Sequence, residues 1–185
     1  MTPFGTALTV VALTIAGLTV AAILWSVARP DRRIWPPHRF SAAVSWIGWG
    51  GTFAFFATVF ALGVIGWGEA PVPRWLRYGV GPILILAGNA GVWFEVMGFG
   101  ANQTMGAEGR LKTDGLYRVS RNPQYVSDIA ILTGWALLSA SFVALPSVIA
   151  GILVLIAFPF AEESWLSERY GKAYLDYKAK VRRSL

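Results

Sequence analysis

The sequence predicts an all-α, polytopic membrane protein with about five transmembrane helices, a short helical hairpin and a cytoplasmic C-terminal helix. Three observations carry that expectation. The 185-residue chain is 55% hydrophobic and only 14% charged, with a mean hydropathy of +0.53, which is too apolar for an ordinary soluble domain. Its apolar residues fall into runs near the about 20 residues that a helix needs to cross roughly 30 Å of hydrocarbon. Its 16 Lys and Arg residues also alternate between loops: four lie in the first loop, four in residues 100–121 and six from Arg169 onward, against two in the second loop and none in the hairpin turn. By the positive-inside rule this places the N-terminus outside a cytoplasmic membrane and the C-terminus inside.

The elements follow in order. Residues 4–28 form the first span; no positive charge precedes its apolar core, which is longer than a signal peptide requires, so it reads as a retained helix. ARPDRRIWPPHRF, with four arginines and three prolines, suits a tight water-facing connection. A second span covers 44–67, GEAPVPRWLR is the next loop, and a third span runs over 78–99. From 100 to 121 the chain turns polar, with Asn102, Gln103, Glu108, Arg110, Lys112 and Asp114 spaced by four glycines. That is longer than a plain helix connection and fits a binding loop. The uncharged run 129–160 exceeds one pass, and Ser139, Ser141 and Pro146 near its middle predict a turn dividing it into helices 124–140 and 146–161. The whole is expected to be a single membrane domain, with three N-terminal spans in 1–99 and the functional region in 100–185. In the tail, Trp165, Leu166, Tyr170, Ala173, Tyr174, Tyr177 and Val181 recur at helical spacing, as a packing face does. Opposite them, Glu168 to Lys172 and Asp176 to Lys180 are favourable i,i+4 pairs.

Several chemistries are excluded. The net charge of +6 is scattered between apolar spans with no continuous basic stripe, so nucleic acid is not a partner and the lipid bilayer is. With no cysteine and one histidine there is no disulfide framework, no thiolate site and no metal cluster. Phosphate-cradling, zinc-protease and serine-hydrolase motifs are missing. The sequon Asn102-Gln103-Thr104 falls on the cytoplasmic side and is a chance match.

Two polar clusters bracket the hydrophobic hairpin and are brought to one side of the bilayer by it. In the first, Arg121-Asn122-Pro123-x-Tyr125, Pro123 fits a first helical turn, so Arg121 and Asn122 lie at a helix N-terminus, where exposed N–H groups and the dipole favour anions. In the second, Glu162 and Glu163 follow Pro159 at the expected end of the fifth span, where negative charge opposes the dipole unless a cationic ligand or the arginines of the first cluster compensate. Asp128 lies one helical turn beyond Tyr125, at membrane depth; pairing with Arg118 or Arg121 is its structural explanation and a functional cavity the other. Glu95 and Asn89 lie within the third span and carry the same question.

Taken in order, G-L-Y-R-x-x-R-N-P-x-Y, a hydrophobic hairpin, E-E-x-x-L and Y-G-x-x-Y-x-x-Y-x-x-x-V-R resemble the isoprenylcysteine carboxyl methyltransferase and phospholipid N-methyltransferase superfamily over about the last 75 residues. The resemblance implies an integral membrane methyltransferase that uses S-adenosylmethionine on a lipophilic acceptor, such as a prenyl-type carboxylate or a lipid amine, thiol or hydroxyl. It implies a cytoplasm-facing cofactor site made by Tyr117, Arg121, Asn122, Pro123, Tyr125, Glu162 and Glu163 beneath the 100–121 loop, with Arg121, Glu163 and Asp128 as catalytic residues. Asn122 stands where the family most often has histidine, which removes a titratable group. No metal, no covalent intermediate and no need for His38 are expected. Membrane reductases of the sterol type share the architecture and bind NADPH, but two carboxylates repel a dinucleotide phosphate and suit a sulfonium. A non-enzymatic scaffold leaves Asp128 and the polar loop without purpose.

Overall fold

The structure, a computed structural model, describes residues 2–37, 41–99 and 109–184. His38, the sequon and residues 100–108 of the polar loop lie outside the described residues. Among the described residues the six longer elements are all helices: α1 Pro3–Ala28, α2 Ala42–Ile65, α3 Gly81–Phe99, α4 Pro123–Ser139, α5 Leu145–Tyr170 and α6 Lys172–Lys178. Short turns precede three of them: a 3-10 turn at Pro30–Arg32, a π-type turn at Leu76–Val80 and a 3-10 turn at Gly115–Arg118.

The all-α membrane expectation holds. Among the described residues four stretches, within α1, α2, α5 and the run Leu76–Gly98 that contains most of α3, are long and apolar enough to cross a membrane. The remaining predicted span is present as α4, whose 17 residues reach about 25 Å at 1.5 Å per residue, short of a full crossing.

The helical hairpin is formed by α4 and α5. Ala140 takes a left-handed conformation, φ 48°, and ends α4. Ser141 then donates from Oγ to the Leu62 carbonyl at 3.1 Å and accepts from the Ala144 N–H at 3.2 Å, which starts α5. The last carbonyls of α4 are satisfied from the α2–α3 loop: Leu138 accepts from Arg77 Nε, Ser139 from the Gly68 N–H and Ala140 from the Ala70 N–H.

α4 packs most extensively on α3, and small residues permit the close approach. A Cβ at Gly88 would lie 2.5 Å from the Ser127 carbonyl oxygen, and one at Gly134 would lie 2.6 Å from that of Gly81. Because both obstacles are backbone, the neighbour cannot rotate away. Gly88→Val is therefore expected to force α3 and α4 apart at a cost of about 1–3 kcal/mol, seen as a lowered thermal midpoint in detergent; an unchanged midpoint would contradict this packing.

One boundary is corrected. The fifth span was expected to end at residue 161, where the hydrophobic run stops, but α5 continues to Tyr170 and is closed by Gly171 at φ 52°. Loss of hydrophobicity ends a run of apolar side chains; it does not end a helix when the next residues, Glu162 to Arg169, are themselves good helix formers. Glu162 and Glu163 thus sit inside a helix, and the argument that they oppose a helix C-terminus does not apply. Gly171 also splits the tail stripe. Glu168 pairs with Arg33 at 2.8 Å instead of Lys172, and Lys172 pairs with Asp176 at 2.8 Å.

Candidate active site

The antiparallel run of α4 and α5 brings the two polar clusters into direct contact. Pro123 occupies N1 of α4 and Asn122 its N-cap, as the sequence predicts. From there Tyr125 and Asp128 look toward the C-terminal half of α5, and a cavity of about 1060 Å³ opens between α1, α2, α4, α5 and residues 109–117. Tyr117, Arg121, Asn122, Tyr125, Asp128 and Glu162 all line it. Apolar side chains of α1 and α2, among them Ile15, Leu18, Phe55 and Phe56, line it as well. Residues from both the 1–99 and 100–185 regions therefore build it.

Glu162 is held by aromatic groups. Its Oε1 accepts from the Tyr125 hydroxyl at 2.5 Å and from Trp35 Nε1 at 2.8 Å. Tyr125 stacks on Phe158, with ring centroids 5.4 Å apart and planes 10° apart, and Trp35 meets the same Phe158 edge-on at 5.8 Å. Asp128 forms no hydrogen bond or ion pair among the described residues, and Arg118, one of its expected partners, is exposed.

The structure places Glu163 in an ion cluster. It does not line the cavity. It is 7% exposed, and its oxygens take Arg121 at 2.7 Å, Arg183 at 2.7 and 3.0 Å and Lys178 at 2.9 Å. Of the two ways foreseen to compensate this charge, the arginines of the first cluster supply one member, Arg121, and the C-terminal tail supplies the others, Lys178 and Arg183. Arg183, whose own pKa is raised by its hydrogen bonds to Glu163, also lies 4.2 Å over the Phe160 ring.

The tail strap that carries Arg183 closes on the start of α4. Arg182 and Arg183 offer carbonyls to the Arg121 N–H at 2.8 Å, to Ser120 Oγ at 3.2 Å and to the Asn122 side-chain amide at 2.8 Å. Asn122 thus spends its amide on the strap. Arg121 keeps one buried donor, Nε, with no partner among the described residues. Pro123 faces away, into a smaller apolar pocket against α3.

Burial, more than neighbouring charge, pushes the phenols around the site up: Tyr117 strongly, and Tyr174 and Tyr177 to about 12 from an ordinary 10.0. They are neutral at physiological pH. Tyr177 donates to the Tyr117 carbonyl at 2.7 Å, which pins the 3-10 turn to α6.

Sequence reasoning missed Trp35, which lies 127 positions from Glu162, in a loop whose tryptophan reads as an ordinary interfacial anchor. It weighed Glu95, which is 2% exposed and lines the cavity, where Lys112 approaches its Oε2 at 3.4 Å and its Oε1 has no hydrogen-bond partner among the described residues. Asn89 is corrected: it is exposed and donates to the Ile85 carbonyl of its own helix at 2.9 Å.

A helical membrane protein with a carboxylate-lined cavity at the base of an α4–α5 hairpin is the class that fold and site define. Residues 76–173, more than half of the chain, match the phospholipid methyltransferase family, and the chain belongs to that family of membrane methyltransferases. No curated protein and no solved structure matches it.

Proposed function

We propose that this membrane methyltransferase takes its methyl group from S-adenosylmethionine and delivers it to a lipophilic acceptor inside the α1–α5 cavity. The observation that carries the reading is that one continuous cavity is lined both by charged side chains and by an extensive apolar surface. Its volume of about 1060 Å³ lies just above the roughly 300–1,000 Å³ range of single-ligand sites, which suits two ligands.

The residues present fit the donor. Glu162, bonded through one oxygen only among the described residues, complements the ammonium, and Asp128, without a partner among them, complements the sulfonium. The unpartnered Nε of Arg121 and the first-turn N–H groups of α4 complement a carboxylate. Tyr117 and Tyr125 supply aromatic surface. When bound, the donor supplies an electrophilic methyl on an excellent leaving group. The protein's work is then to align the acceptor and exclude water, which the apolar wall of α1 and α2 does. In this reading Glu163 acts through Arg121, and the cavity's charged side chains face the cytoplasm, with the N-terminus outside.

The test is calorimetry on the full chain in detergent with S-adenosylmethionine, S-adenosylhomocysteine and NADPH, followed by labelled methyl donor with total membrane lipid. Both adenosyl ligands should bind, NADPH should not, and label should enter the lipid phase. Tight NADPH binding without either adenosyl ligand would replace this reading by a reductase.

A further inference from the structure

The segment between α1 and α2 lies outside the family match at 76–173, yet it reaches the centre of the site. It is built to hold one shape. Ser26, 5% exposed on α1, accepts from the backbone N–H groups of both Ile34 and Trp35 at 2.9 Å. Trp25 Nε1 donates to the Arg32 carbonyl at 2.9 Å, and Arg33 bonds both the Pro36 carbonyl at 3.1 Å and Glu168 of α5 at 2.8 Å. These contacts fix the backbone on either side of Trp35.

The indole they present meets Glu162 in a particular way. Trp35 Nε1 and the Tyr125 hydroxyl converge on the same oxygen, Oε1, while Oε2 takes no hydrogen bond among the described residues. Glu162 lines the cavity, so the carboxylate is presented with one oxygen anchored and the other available. Two donors from separate segments, the α1–α2 loop and α4, restrict the carboxylate's rotation more than one would.

We propose that Trp35 is a positioning residue of the site: its indole N–H, with the Tyr125 hydroxyl, holds one oxygen of Glu162 and turns the other toward the cavity. The N-terminal helices then contribute to ligand recognition through this residue as well as through their apolar wall. The inference rests on the cofactor reading only for its consequence in binding.

Two measurements on the full chain in detergent separate these. In ¹⁵N-indole spectra, the signal absent from Trp35→Phe identifies the Trp35 N–H. It should lie downfield, as an N–H bonded to a carboxylate does, and should move upfield in Glu162→Leu while staying in place in Asp176→Asn, whose carboxylate is exposed and paired with Lys172. In calorimetry, Trp35→Phe keeps the ring against Phe158 and should weaken S-adenosylmethionine binding about tenfold, the scale of one hydrogen bond to a charged group. In a Glu162→Leu background the same change should have less than about a twofold effect, since coupled residues are non-additive. Ser26→Ala, which releases the loop away from the cavity, should reproduce part of the loss. An indole signal indifferent to Glu162→Leu, or a full tenfold effect of Trp35→Phe in that background, overturns the positioning role. Failure of wild-type protein to bind either adenosyl ligand would reject the cofactor reading, leaving the indole signal to decide the role of Trp35.

Discussion

Glu163→Ala is expected to destabilise the protein by about 3–5 kcal/mol, the scale on which removing one partner of a buried ion cluster acts. The wild-type carboxylate gathers Arg121, Lys178 and Arg183 within 3.0 Å, and both it and Arg121 have side chains less than a tenth exposed. Without it three cations face one another with no anion among them. Arg121 is the least able to escape, because its backbone is bonded to the strap and its side chain is enclosed. Arg183→Ala should destabilise much less, since Glu163 would retain two cations and Arg183 is the more exposed partner. Unfolding midpoints in detergent measure both. A Glu163→Ala protein that unfolds like wild type but no longer binds S-adenosylmethionine would return Glu163 to direct ligand contact and sink this account.

The contrast between the two adjacent glutamates marks how far the sequence could be read. That the clusters at 121–125 and 162–163 meet follows from the hairpin alone: an uncharged run too long for one pass returns its ends to one side of the membrane. Pro123 at the first turn of α4 was legible for the same local reason. Which glutamate faces the cavity was not, because that depends on the rotational phase of α5. The expected end at residue 161 carried no phase beyond it, and only the continuation of α5 to Tyr170 places Glu162 toward Tyr125 and Glu163 toward the strap. Asn122 was read as a change to a ligand-facing position; in the structure its amide bonds the Arg183 carbonyl, a partner 61 positions away. Trp35 was invisible for a similar reason, since a tryptophan near a membrane interface already has an adequate local explanation.

Asp128→Asn is expected to have the largest effect on turnover, and its sign depends on the acceptor atom. An amine must lose a proton to become nucleophilic and a hydroxyl must lose one as it reacts, and a positioned base contributes typically about 10²–10⁴-fold to such a step. Asp128 faces the cavity without an ion pair or hydrogen bond among the described residues, whereas Glu162 is committed through Oε1 and Glu163 is enclosed by cations. It is therefore the carboxylate best placed to accept that proton. The asparagine keeps the size and polarity of the side chain and removes its basicity, so turnover with an amine or hydroxyl acceptor should fall on that scale while S-adenosylhomocysteine binding changes little. A carboxylate acceptor has no proton to lose and would be repelled by Asp128, so with such a substrate the same substitution should leave turnover unchanged or raise it. The product reports which case holds: a methyl ester is cleaved by alkali and releases methanol, whereas an N-methyl or O-methyl ether product is stable. An alkali-stable product formed at full rate by Asp128→Asn would remove Asp128 from the proton path.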